Sequence, residues 1–272
     1  DAKQDFPKVR VWGTIAWIAA AFMVSYLKIE NNVLPFQIAA FCSIFQSLYC
    51  LTLPHTPPSS AGKVSLLDSI LGPEIRKLFL NRSFTVMVIS IGLICIPLSF
   101  YYSFVNPFLN EIGVENAAAK MSIGQMVEIV LLLALPAIFK IWNFRTIIFL
   151  GLLAWGVRYG LFILGLETGL EWLLIIALAI HGVAYIFSML SAQIYIDTIV
   201  PTHLRTTAQG FFSLLTMGVM ALFGTLVAGE TVHAYTYADG THNWEMIWML
   251  PFVFGTVVAI MFLVFFRRKG SF

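Results

Sequence analysis

Glu128 and Gln125 lie three residues apart in the run Met121 to Phe139, MSIGQMVEIVLLLALPAIF, which has no ionisable side chain besides Glu128. In a helix the two share a face. A charge near the middle of a membrane helix costs at least about 2.5–3.5 kcal/mol on insertion scales, so its retention points to proton or solute handling. A carboxyl in low dielectric can exchange a proton near neutral pH. The neighbouring glutamine offers a neutral polar solute both a donor and an acceptor. The alternative is a structural ion pair with Arg158, which lies deep in another apolar run, GLLAWGVRYGLF.

Other apolar runs carry polar side chains at helical spacing. Arg10, Thr14 and Trp17 fall at i, i+4 and i+7 in FPKVRVWGTIAWIAA. A guanidinium, a hydroxyl and an indole on one stripe could hold a planar polar ligand. The same three also read as a snorkelling arginine, a backbone-bonded threonine and an interface tryptophan. Trp12 and Gly13 point elsewhere and are expected to pack helices. In ICIPLSFYYSFVNPFLNEIG, Ser99, Tyr102 and Asn106 share a face, and Pro97 and Pro107 are expected to kink or unwind the helix. In IHGVAYIFSMLSAQIYID, His181 and Tyr185 are one turn apart. His181 reads either as a proton relay or as an interhelical hydrogen-bond partner. Asp197 and Arg205 follow, as a gate or as headgroup-level charges. Gly210, Gly218, Gly224 and Gly229 suit close helix approach.

These residues need a membrane to make sense, and the composition supplies one. The chain of 272 residues is 59% hydrophobic and 11% charged, against a soluble norm near 25% charged. Eight apolar runs can span a bilayer, near 7–27, 34–53, 83–106, 118–140, 146–165, 172–196, 206–228 and 246–266. The expected fold is an all-α polytopic membrane protein. With the N-terminus in the cytoplasm, 13 of the 16 basic residues fall in inner segments, and Lys28, Lys120 and Arg158 are the exceptions. That asymmetry predicts both termini on the cytoplasmic side. The basic residues form short juxtamembrane clusters and no continuous face, so no nucleic-acid partner is expected.

The segment 54–82 is the longest polar interruption and reads as a cytoplasmic linker, its second part a candidate amphipathic helix on the membrane surface. Two spans (1–53) precede it and six (83–272) follow. Transporters built from repeats often place six helices in each half, with the site between halves. On that count the chain is expected to be the C-terminal two-thirds of a twelve-helix transporter. Cys42, Cys50 and Cys95 lie in apolar runs without metal or disulfide spacing. The loop residues His55, His203, His233 and His242 show no metal-ligand spacing. Nucleotide-binding and serine-hydrolase fingerprints are absent, so neither an enzyme nor a cofactor is expected.

Taken in order, VRVWGTIAW, SFYYSFVNPFLNEIG, IGQMVEI, GLLAWGVRYGLF, HGVAYIF and AQIYID resemble the bacterial nucleoside:proton symporter family of the major facilitator superfamily. The resemblance covers nearly the whole chain and begins at the family's fifth helix, giving eight helices here of an expected twelve. It implies import of nucleosides across the cytoplasmic (inner) membrane with protons, by a monomer, using alternating access. Its binding positions carry over onto Arg10, Thr14, Trp17, Ser99, Tyr102, Gln125, Glu128, His181 and Tyr185, with Glu128 as the proton-coupling carboxylate. One departure stands out: the family commonly has an acidic residue directly after the position of Tyr185, and here it is Ile186. The readings kept beside this one are a symporter for a sugar or other small polar metabolite, and a receptor or sensor that does not transport.

Overall fold

The computed structural model describes residues 2–30, 32–55 and 73–266; the side chains of 2–11, 73–75 and 203 lie outside that description. Most of the expected linker and its surface helix therefore fall outside the described residues, apart from a short helix, α3 (Pro73–Leu78). Long helices occupy all eight apolar runs: α1 (Ala2–Tyr26), α2 (Leu34–Cys50), α4 (Arg82–Glu111), α5 (Ala117–Ile141), α6 (Phe144–Thr168), α7 (Glu171–Ile199), α8 (Arg205–Ala234) and α9 (Trp244–Phe265). Six of them, α4 to α9, are long and apolar enough to cross a membrane alone. The described apolar parts of α1 and α2, Trp12–Tyr26 and Leu34–Cys50, are shorter. No strand occurs among the described residues, only an isolated bridge between Thr236 and His242. The chain is an all-helical, multi-pass membrane protein.

Side-chain capping marks where the apolar runs become helices. Asn81, Asn143 and Asn243 precede α4, α6 and α9, and each side chain accepts from a backbone N–H of the first turn. Helix α5 is capped by groups from another part of the chain. Its N-cap, Asn116, is left-handed at φ 54° and makes no side-chain cap bond. Instead the Glu30 carboxylate accepts from Ala118 N at 3.2 Å, and Ser25 Oγ accepts from Ala119 N at 2.9 Å. A negative charge is favourable at that positive helix end. Glu30 also accepts from Asn106 and Asn110 of α4 at 3.2 and 3.4 Å and from Ser25. The segment after α1 is thereby bound to both α4 and α5. In the loop before α9, the hydroxyl and N–H of Thr241 hold the Asp239 carboxyl below the usual carboxylate range.

Neighbouring helices follow the order α1, α5, α7, α6, α9, α4, α8. Burial is densest in α4, α6 and the first half of α7. Small residues set the closest crossings, as expected where lipid supplies no hydrophobic drive between helices. A Cβ on Gly182 would lie 2.6 Å from Glu128 N, and one on Gly151 would lie 2.3 Å from Ser188 N. Side chains are excluded at both places by backbone. Gly224 meets α4 at Ser99 and Cys95, while Gly210 and Gly229 have nothing within 4 Å. Among the described residues, Gly224 alone of the expected glycine stripe serves a close helix contact. Trp12 is 68% exposed, and a Cβ on Gly13 would meet nothing within 4 Å among the described residues.

Helix α4 runs unbroken through Pro97 and Pro107. Its interior is buried, and the Tyr159 hydroxyl of α6 donates to the Pro97 carbonyl, which ties that turn down. The irregular backbone lies elsewhere, as π-helical turns at Tyr185–Leu190 in α7 and Leu214–Met220 in α8. In α7 the Ser191 hydroxyl donates to Ile186 O at 3.0 Å and Ser188 Oγ to Ala184 O, so side chains serve carbonyls within the widened turn. Such turns are frequent at functional sites.

Candidate solute-binding site

Four helices bring aromatic and polar side chains to one place. Trp17 of α1 and Tyr102 of α4 face each other at 6.3 Å between ring centroids and are 57% and 48% exposed. Behind them His181 of α7 meets Tyr102 edge-on at 6.0 Å and lies 6.1 Å from Tyr185. Helix α5 adds Gln125, buried, and Glu128, half-buried. Gly124 brings α5 against α7, since a Cβ there would lie 2.8 Å from His181 Cβ.

The rear wall is a caged cation. Arg158 of α6 is 0% exposed. Its guanidinium stands 3.8 Å over the Tyr101 ring, with Trp155, Tyr159 and Phe162 at 5.3, 5.6 and 5.9 Å. Nη1 donates to His181 Nδ1 at 2.9 Å. Tyr101 stacks on His181 at 4.4 Å and 16°, and Trp155 meets the same imidazole edge-on at 5.6 Å while donating from Nε1 to Ser188 Oγ at 3.1 Å. Cation–π contact is strongest when desolvated. Here it takes the place of the carboxylate that a buried arginine usually needs.

The arrangement can sandwich a flat solute against rings and meet its polar edge with an amide, a hydroxyl and an imidazole. What it resembles is decided by comparison. The family described as nucleoside H+ symporter matches residues 1–271. The chain belongs to the nucleoside H+ symporter family. The putative nucleoside transporter YegT of Escherichia coli is 36% identical over 285 aligned positions, covering 100% of this chain and 67% of that protein. Nucleoside permease NupG of Escherichia coli is 29% identical over 280 positions, covering 99% of this chain and 67% of NupG. A crystal structure of NupG superposes with a TM-score of 0.80 over 99% of this chain and 69% of NupG, at 28% identity; that of a point variant gives 0.83. The chain thus spans about two-thirds of the length of these relatives, and its fold is of the major facilitator type. The relatives are transporters and permeases, not enzymes.

In this family member, the residues expected at the site are not all brought together. Ring contacts join Trp17, Tyr102, His181 and Tyr185, while Gln125 and Glu128 lie on α5, which packs against α1 and α7. Thr14 is half-buried one turn before Trp17 on α1. The Arg10 side chain lies outside the described residues. Ser99 faces α8: it is 6% exposed, and its hydroxyl donates to Cys95 O at 2.9 Å and to Ala221 O at 3.2 Å. Asn106 serves Glu30 at the end of the bundle. Among the described residues no Glu128–Arg158 ion pair is seen; Arg158 Nη1 is bonded to His181, and Nε and Nη2 have no hydrogen-bond partner there. Asp197 accepts from Gln209 at 2.9 Å, whereas Arg205 donates to Val200 O at 3.4 Å, so these two make no gate. Ile186 is buried in an apolar layer with Leu135, Ile147 and Phe187.

Tyr101 and Trp155 escaped the sequence reading. A signal was present: Trp155, Arg158, Tyr159 and Phe162 fall at i, i+3, i+4 and i+7, an aromatic face around one cation.

Proposed function

We propose that the protein carrying this chain imports nucleosides in symport with protons by rocking one helical bundle against another. Family membership over residues 1–271 carries this reading, and the aromatic and polar space between α1, α4, α5 and α7 supports it. In this proposal Trp17 and Tyr185 stack on or line the nucleoside, with Tyr102 and His181 beside them. Gln125 and Thr14 hydrogen-bond it, and Arg10 holds a polar edge. Glu128 takes up the coupled proton. Ser99 acts through helix packing and is not proposed to touch solute.

The remaining parts of the reading follow from the same frame. Residues 1–53 form the end of one bundle, 54–82 the cytoplasmic linker and 83–272 the other bundle. The protein works as a monomer in the cytoplasmic membrane with both ends inside, an orientation the distribution of basic residues favours. The test is radiolabelled uridine uptake by the whole protein in vesicles, with and without an uncoupler. Uptake that collapses with the proton gradient is expected. No uptake of any nucleoside would refute transport, and uptake indifferent to the uncoupler would refute coupling.

A further inference from the structure

The chemistry His181 can offer a solute is decided behind it. A neutral imidazole donates from one ring nitrogen and accepts at the other. Arg158 Nη1 stands 2.9 Å from His181 Nδ1. A guanidinium has donors and no acceptor, so this contact is a hydrogen bond only when Nδ1 is bare. The ring proton then resides on Nε2, on the side away from Arg158.

Packing keeps this arrangement in place. Arg158 is held over Tyr101 at 3.8 Å, and among the described residues its Nε and Nη2 have no hydrogen-bond partner, while Nη1 is served by His181. The imidazole is stacked on Tyr101 at 4.4 Å, met edge-on by Trp155 at 5.6 Å and pressed against Gly124. A half-turn of the ring would put Cδ2–H in the place of Nδ1 against the guanidinium and leave Nη1 of Arg158 unsatisfied as well, at a cost of about 1–3 kcal/mol or more.

We propose that Arg158 is a positioning residue of the solute site: it fixes His181 as the Nε2–H tautomer, so that His181 is an obligatory hydrogen-bond donor to an acceptor oxygen or nitrogen of the solute. The identity of that solute rests on the nucleoside reading; the tautomer does not. The assignment also removes His181 from the proton path. A proton added at Nδ1 would expel the Arg158 bond and set two cations side by side, which leaves the relay to Glu128.

The experiment is nitrogen-15 NMR of histidine-labelled whole protein in nanodiscs, with the His181 resonances identified by their loss in His181→Gln. A single Nε2–H tautomer is expected, with or without uridine. In Arg158→Met the tautomers should mix, and the KM for uridine should rise about tenfold, the worth of one hydrogen bond, with the maximal rate within about twofold. Arg158→Lys, which keeps a cationic donor, should restore the single tautomer. An Nδ1–H ring in the unsubstituted protein would overturn the proposal. So would an unchanged tautomer and KM in folded Arg158→Met. Should that variant not fold, the unsubstituted spectrum and Arg158→Lys still decide, since a mixed ring in either contradicts it. Absence of uridine uptake by the unsubstituted protein would instead count against the transport reading and leave the tautomer result standing.

Discussion

At the start of α5 the Glu30 carboxylate accepts from Ser25, Asn106, Asn110 and Ala118. Two turns further along, roughly 10 Å by helix rise, the buried polar groups are left short of partners. Of the seven buried side-chain atoms without a hydrogen bond among the described residues, four belong to this region: Gln125 Oε1, Tyr101 Oη, and Arg158 Nε and Nη2. A satisfied buried network rigidifies one state, while an unsatisfied donor or acceptor costs about 1–3 kcal/mol until something completes it. The first cluster has the character of a clamp, whereas the second leaves polar atoms that no protein group among the described residues satisfies. Both are built on α5, so the helix that carries Glu128 is also the one the clamp holds.

The comparison can be broken at four places. The largest effect is expected from Gly182→Val, which pushes a branched side chain into the backbone of Glu128. Separating α5 from α7 should lower stability by about 1–3 kcal/mol or more and abolish uridine binding, seen together as a fall in melting temperature and in ligand-induced stabilisation. Next is Glu30→Ala, which removes the clamp and the charge at the α5 N-terminus. A loss of about 0.5–2 kcal/mol should appear as greater labelling of a reporter cysteine placed beside Asn110, with the uridine affinity of the midplane site little changed. Tyr101→Phe deletes one orphaned hydroxyl while keeping the ring under Arg158. A gain of up to about 1 kcal/mol in thermal stability is expected, and weaker uridine binding in the same variant would mean that the hydroxyl serves the solute. Smallest is Ser99→Ala, which removes one interhelical hydrogen bond worth about 0.6 kcal/mol in a membrane protein. Uridine KM should stay the same, and a large rise would return Ser99 to the site.

Much of the scaffold could be read from apolar runs. All eight helices occur where those runs lie, but α4 and α8 extend past them, to Glu111 and Ala234. Hydropathy marks the hydrocarbon and not the helix, so the polar turns beyond it leave no such trace. The π turn of α7 was equally hidden, because it accompanies a tertiary contact, Gly151 against Ser188. At the candidate site, helical spacing paired Gln125 with Glu128 and His181 with Tyr185, each on one face. It could not tell which way the polar face of α4 divides: Tyr102 turns to the cavity, Ser99 to α8 and Asn106 to Glu30. Arg158 shows the same limit. Its position near the membrane midplane was evident, but an aromatic cage assembled from α4 and α6 replaces the carboxylate partner that charge pairing suggested.

In the proposed cycle solute and proton move together, with Glu128 as the carrier of the proton. The most direct measurement is uridine-triggered acidification inside proteoliposomes holding the whole protein, compared with Glu128→Gln in the same preparation alongside uridine exchange. Acidification is expected with the unsubstituted protein and none with Glu128→Gln, with uridine exchange retained by both. Acidification that persists in Glu128→Gln would contradict this cycle.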